Sequence, residues 1–175
     1  MNDHIPNERV RAYFLTFSTY GTRLHGDERG TVDRSHNEFG APDLGRRPAL
    51  EREDMALLKQ PPFIMDTNHR DAVSDAIREV CNYRDWELHA LNVRTNHVHL
   101  MVSADAPVES VLNTFKAYAT RAMRRKGLVG PDARIWTRHG STRYLWDDAG
   151  MAAIATYIRD WQGEDLPRNQ KQKQT

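Results

Sequence analysis

An α+β fold built on one antiparallel sheet is what this chain predicts, and three observations carry the prediction. Four short runs have the aromatic and β-branched content of strands, and three longer runs repeat their apolar residues at helical spacing. Their order, β, loop, α, β, β, α, β, α, contains a β-α-β-β-α-β unit. That unit is the signature of a ferredoxin-like sandwich, in which both helices cover one face of the sheet. A third, C-terminal helix is then an addition to the sandwich.

Arg11 to Tyr20 (RAYFLTFSTY) alternates well enough to be the first strand, and Gly21 ends it. From residue 21 to 62 the composition turns to Gly, Arg, Asp, His, Asn and Pro, with a short helical stretch around Glu51 to Lys59. This reads as a long loop insertion, of the kind that is usually functional. Asp66 is placed to cap a helix carrying Val73, Ile77, Val80 and Cys81 on one face and ending near Tyr83 to Asp85. Trp86 to Val93 and His97 to Ser103 follow as two strands, joined by the hairpin-sized link Arg94-Thr95-Asn96.

Asp105 and Pro107 open a second helix with the face Val108, Val111, Leu112, Phe115, Ala119 and Ala122, and Gly127 closes it. Gly140 to Trp146 is a fourth strand. Asp147 or Asp148 then caps a last helix bearing Met151, Ile154, Ala155 and Ile158 and ending at Gly163. A length of 175 residues suits one domain over 1–175, with its core at about 11–165 and a polar tail at 166–175. Trp136, Trp146 and Trp161 read as packing anchors, with Trp136 and His139 also available to a base or phosphate.

Composition excludes several classes. No apolar run approaches the roughly 18 residues a membrane span needs, and MNDHIPNERVRAY has no basic and apolar leader, which points to the cytoplasm. The single Cys81 cannot make an internal disulfide or a thiolate cluster. Near-neutral overall, the chain is asymmetric: residues 1–103 hold 13 basic and 16 acidic side chains, the remainder 12 and 8. The basic half is where a polyanion is expected to bind. Its densest stretch, Lys116, Arg121, Arg124, Arg125 and Lys126, contains no acid. A solvated helix face would have the same look.

The sharpest local feature is NHVHLMV at 96–102. On a strand alternate residues share a face, so His97 and His99 project together about 6 to 7 Å apart while Val98, Leu100 and Val102 point into the core. The two imidazoles are then expected on the open face of the sheet, able to share one metal ion. With 8 histidines in the chain a His-x-His pair arises by chance in roughly one such sequence in three, so the pair needs context. Two imidazoles also fall short of the three or so protein ligands usual at a catalytic metal.

Larger stretches supply that context. FLTFSTYGTRLHGDERGTVDRSHN at 14–37, AIREVCNYRDWELHALNVRTNHVHLMVSADAP at 76–107, FKAYATRA at 115–122, IWTRHGSTRYLW at 135–146 and ATYIRDWQGE at 155–164 occur in this order. Together they resemble the HUH single-tyrosine transposases, in particular the REP-associated tyrosine transposases, over most of residues 11–165. The resemblance implies that His97 and His99 bind a divalent ion, Mg²⁺ or Mn²⁺, and that Tyr157 is the nucleophile. Several relatives also give the metal a glutamine from the tyrosine's helix. One turn after the tyrosine this chain has Trp161, and Gln162 one residue further is the glutamine available for that role.

The implied reaction is chemically coherent. A phenol ionises near pH 10 and a phosphodiester repels anions, so the phosphate must be neutralised and the attack held in line. Attack by Tyr157 leaves a 5′-phosphotyrosine, and the released 3′-OH can later reverse the step for strand transfer. On a helical wheel Tyr157 sits about 100° from the centre of its helix's apolar face, at the flank, whereas Tyr118 falls on the packing face of the second helix.

The expected partner is single-stranded or hairpin DNA. Lys116, Arg121, Arg124, Arg125 and Lys126 are expected on its backbone, and Arg23, Arg29 and Arg34 of the loop on a hairpin or guide sequence. Homodimers and monomers both occur among the relatives. A domesticated protein that binds structured DNA without cutting it is the alternative, and a zinc hydrolase using His97, His99 and His139 is a second.

Overall fold

The computed structural model describes residues 9–22 and 55–160. The long loop except its two ends, the start of the stretch expected to be helical at Glu51 to Lys59, the tail, and the expected site residues Arg23, Arg29, Arg34 and Gln162 with Trp161 lie outside the described residues.

Strand and helix bounds follow the residue patterns closely. β1 is Ala12–Ser18, α1 Thr67–Arg84, β2 Glu87–Val93, β3 His97–Ser103, α2 Val108–Arg125, β4 Ser141–Leu145 and α3 Asp148–Asp160. The four strands form one antiparallel sheet in the order β2-β3-β1-β4. This is the expected ferredoxin-like order, with α1 and α2 each crossing over one intervening strand.

Alternation divides the sheet into two chemically different faces. Leu15, Phe17, Val98, Leu100 and Val102 face α1 and α2, where they join Val73, Ile77, Val80, Val111, Leu112 and Phe115 in the main core. Ala12, Met101 and Leu145 face the other way and are covered by Ile154 and Ile158 of α3. That second face was expected to be open. It is not, because four small or apolar positions from four strands, Ala12, Ala90, Met101 and Leu145, form a patch on which α3 packs. Burying apolar area there is worth about 25 cal/mol per Å².

Helix ends obey local chemistry. Asp66 accepts from the His69 backbone N–H at 3.0 Å, and the His69 ring reaches back to Asp66, so the two close a reciprocal cap on α1. Burial pushes the Asp66 carboxyl up, but the His69 and Asn68 N–H groups and the His69 ring outweigh it and hold the pKa below its ordinary value. Asp66→Ala is expected to destabilise the fold by about 1 kcal/mol, read as a lower urea midpoint at unchanged slope. Gly127, at φ 68°, takes the left-handed turn that follows α2. Asp147 Oδ1 accepts from Gly150 N–H at 2.7 Å and starts α3.

Candidate active site

α3 brings Tyr157 to the histidines. Ile154 and Ile158, one turn apart, are 4% and 0% exposed and face the sheet, which leaves Tyr157 at the flank of the buried stripe. Two polar contacts fix the helix at its ends: Asn92 Nδ2 donates to the Ile158 carbonyl at 2.8 Å, and Arg11 pairs with Asp148 at 2.9 Å. The Tyr157 ring consequently meets His99 of the same chain edge-on, with centroids 5.7 Å apart, and Phe14 at 6.0 Å.

His97 and His99 share the α3 face, with ring centroids 4.5 Å apart. His99 is 8% exposed, far less than an open sheet face would allow, because Phe14 stacks on it at 5.6 Å and Tyr157 closes its other side. Each imidazole is held through Nδ1. His97 Nδ1 donates to Asn96 Oδ1 at 2.7 Å, and His99 Nδ1 lies 2.7 Å from Thr16 Oγ1, its register partner's hydroxyl on β1. Since Asn96 Oδ1 can only accept, the neutral form of His97 carries its lone pair on Nε2. This is the tautomer that a metal-ligating histidine adopts when its other nitrogen is oriented by a hydrogen bond.

Asn96 is itself held in place. Its carbonyl accepts from Thr19 N–H at 2.8 Å, Thr19 Oγ1 at 3.1 Å and Thr22 Oγ1 at 3.4 Å. Sequence reasoning missed Asn96 and Thr16. Asn96 carried a readable signal, a side-chain acceptor adjacent to the first histidine, whereas Thr16 became visible only once the β1–β3 register was known.

Two neutral imidazole nitrogens on one face are suitable ligands for a divalent cation, and so far the residues fit one. Among the described residues no group of three His, Cys, Asp or Glu stands ready to hold a metal. His139, invoked for a zinc hydrolase, therefore does not complete a trio; it lies on an exposed segment and its carbonyl serves Lys116. Cys81 offers no alternative nucleophile, since it is buried and burial pushes its thiol up to about 11, against the pull of Arg78.

The expected basic surface divides. Arg121, Arg124 and Arg125 are exposed on α2 and Lys126 at its C-terminal cap, but on the layer across the sheet from His97, His99 and Tyr157. Arg125 lies 3.8 Å from Glu79 and Lys126 3.4 Å from Asp75, exposed pairs of small energetic weight, while Arg121 covers the Tyr118 ring at 5.0 Å. Tyr118 packs against the main core, as its helical position predicted.

Lys116, expected on the DNA backbone, does not belong to that surface and is a structural residue instead. It is 8% exposed, and its Nζ donates to the carbonyls of Thr137, Arg138 and His139 at 2.9, 3.4 and 3.0 Å. Burial lowers its pKa from the ordinary lysine value, with Glu109 acting in the opposite sense. Gly140, the next residue, presses against β1 so closely that a Cβ would stand 2.7 Å from Thr16 O. Lys116 thus ties down the segment that leads into β4 beside the His99 support. Lys116→Met removes the three donated bonds and leaves carbonyls short of partners, which costs about 1–3 kcal/mol. The expected thermal midpoint is lower by roughly 2–12 °C, with no loss of helix by circular dichroism at 20 °C or so.

Of the tryptophans, Trp136 is a packing anchor: its Nε1 donates to Lys116 O at 3.2 Å and Thr120 Oγ1 at 3.0 Å, and its ring meets Phe17 at 5.0 Å. Trp146 is not. It is 47% exposed, because it follows the last residue of the edge strand β4 and no element among the described residues lies outside it. No helix among the described residues is long and apolar enough to cross a membrane.

A solved REP-associated tyrosine transposase bound to a REP hairpin is similar at 15% identity with a TM-score of 0.50, covering 90% of this chain and 70% of that one. A protein of Deinococcus radiodurans R1 provisionally described as a transposase is similar at 16% identity with a TM-score of 0.47, covering 90% and 95%. No curated protein matches. The model of the IS200-like transposase family matches residues 55–160, a stretch that includes β2, β3, α2, β4 and α3 and with them both histidines and Tyr157. The chain belongs to the IS200-like transposase family.

Proposed function

We propose that this protein cleaves and rejoins single-stranded DNA through Tyr157, with His97 and His99 as ligands of a divalent cation, at hairpin sequences. The observation that carries this reading is the convergence of the Tyr157 ring on His99, 5.7 Å away within one chain, on a face otherwise closed by apolar packing. A tyrosine brought to a pair of imidazoles on one face has a role in transesterification that simple DNA binding does not require.

The chain's own residues divide the work. Phe14 and α3 hold the Tyr157 ring at the site, and the burial of His99 keeps bulk water from that side. Bound there, Mg²⁺ or Mn²⁺ supplies positive charge to a non-bridging phosphate oxygen. Tyr157 Oη forms a bond to phosphorus as the bond from phosphorus to the 3′-oxygen breaks. The phenol gives up its proton and the departing oxygen takes one up, so the products are a 5′-phosphotyrosine and a free 3′-OH. The phosphodiester is conserved, and the same geometry run backwards joins strands.

Arg121, Arg124, Arg125 and Lys126 serve the part of the DNA that wraps the helical layer rather than the scissile phosphate. Arg23, Arg29, Arg34 and Gln162 keep the roles the resemblance implies, on the DNA and the metal respectively. The test is incubation with a pool of end-labelled single-stranded hairpins and Mg²⁺ or Mn²⁺, resolved on a denaturing gel. A covalent protein–DNA band with a matching 3′-OH fragment is the expected result. Binding across the pool without cleavage in either metal would replace this reading by that of a DNA-binding protein that has lost transposition.

A further inference from the structure

We propose that Tyr144 and Trp146 form a stacking platform for unpaired bases of the DNA, at the outer edge of β4. The inference rests on the DNA reading above and adds to it a binding site on a part of the sheet the proposed chemistry does not use.

The two residues are spaced i, i+2, so they emerge on one side of an edge strand. Their rings lie 6.0 Å apart at an interplanar angle of 21°, close to parallel. Each is nearly half exposed, at 45% and 47%, although water-exposed aromatic area of this size is unfavourable. The platform is also rigid at its base. Tyr13 meets Tyr144 edge-on at 5.5 Å, and the Tyr13 hydroxyl donates to the Ala106 carbonyl at 3.2 Å. A rigid, near-parallel aromatic pair open to solvent is what stacking on a nucleobase needs, and it tolerates any base because every base has a π-face.

Its place in the sheet selects DNA as the occupant. Arg143, the residue before Tyr144 on β4, alternates to the opposite side of the strand and pairs in register with Phe14, the residue that touches both His99 and Tyr157. β4 therefore presents a cation on the face of the proposed cleavage site and aromatic rings on the other face of the same edge strand. A strand with its scissile phosphate at Tyr157 reaches the platform by passing Arg143 and rounding the β4 edge. Of the nearby acids, Asp148 is neutralised by Arg11 and Asp147 caps α3.

The experiment is fluorescence anisotropy on the full chain with a labelled hairpin carrying single-stranded extensions, in EDTA so that no cleavage intervenes, beside the same hairpin with blunt ends. Trp146→Ala and Tyr144→Ala are each expected to raise Kd for the extended hairpin by about 5- to 150-fold, since a base–aromatic stack is worth roughly 1–3 kcal/mol. Trp146→Phe is expected to restore most of the affinity, and binding of the blunt hairpin to stay within about 2-fold, as for a contact that reads only unpaired bases. Both side chains are at the surface, and an unchanged thermal midpoint verifies the fold. Unchanged affinity for the extended hairpin, or an equal loss on the blunt one, overturns the platform while leaving the DNA reading intact. A Trp146→Ala chain that sediments as a monomer where the parent is a dimer also overturns it, and assigns the edge to a second copy. A parent chain that binds neither hairpin overturns both readings.

Discussion

Tyr157→Phe is expected to bind hairpin DNA as the parent chain does and to form no covalent adduct with it. The substitution deletes one hydroxyl and keeps the ring, so the edge-on contacts with Phe14 and His99 persist and α3 stays docked through Ile154 and Ile158. Stability is expected to change by less than about 1 kcal/mol, a thermal shift of a few degrees at most. With fold, metal ligands and DNA surface intact, the missing atom is the one that bonds to phosphorus. Loss of the adduct is therefore complete rather than graded, unlike the partial losses that follow removal of a residue that only orients or stabilises. A 5′- and 3′-labelled substrate on a denaturing gel reads both halves of the prediction. Cleavage that survives the substitution would mean that water or another side chain attacks, and the assignment of Tyr157 as nucleophile would fall.

How much of this was legible beforehand depends on the range over which each feature is determined. Local chemistry was readable: the Asp66 cap, the Gly127 stop, the β3 strand from His97 to Ser103 and the alternation that sends Val98, Leu100 and Val102 to the core all follow from neighbours in the chain. The order of elements sufficed for the sheet topology as well. The closure of the histidine face was not readable, because the patch under α3 is assembled from single residues on four strands, Ala12, Ala90, Met101 and Leu145, none of which signals anything alone. Lys116 is a different kind of miss. Its charge suggests exposure, yet it stands one turn after Leu112 and one turn before Ala119, both buried, and that spacing puts it on the packing face. What the spacing could not reveal is that three carbonyls from residues 137–139 wait there for its ammonium.

The same distinction between ligand and support governs the second large effect. His97→Ala with His99→Ala removes both imidazoles and is expected to reduce adduct formation below detection, at any concentration of Mg²⁺ or Mn²⁺, while hairpin binding in EDTA persists. Alanine on the β3 strand opens a cavity beside Phe14 and Tyr157, so the thermal midpoint falls too, and loss of activity alone does not separate ligation from folding. Asn96→Ala and Thr16→Val do separate them. Neither touches a metal, but Asn96 orients His97 and Thr16 orients His99, each through a 2.7 Å contact to Nδ1. Loss of such a support lowers metal affinity by about 10- to 100-fold. Both variants are therefore expected to need more Mn²⁺ for half-maximal adduct formation and to recover rate when it is supplied, which a misfolded chain would not do. The two effects should differ in their companions. Asn96 is held by three further bonds to its carbonyl, so its backbone stays in place when the side chain is shortened. Thr16 meets Gly140 through its backbone carbonyl, which the valine variant leaves in place while exchanging the hydroxyl for a methyl group of similar size. If either variant shows the parent's Mn²⁺ dependence, the imidazole it supports is not a ligand, and the metal lies elsewhere on the chain.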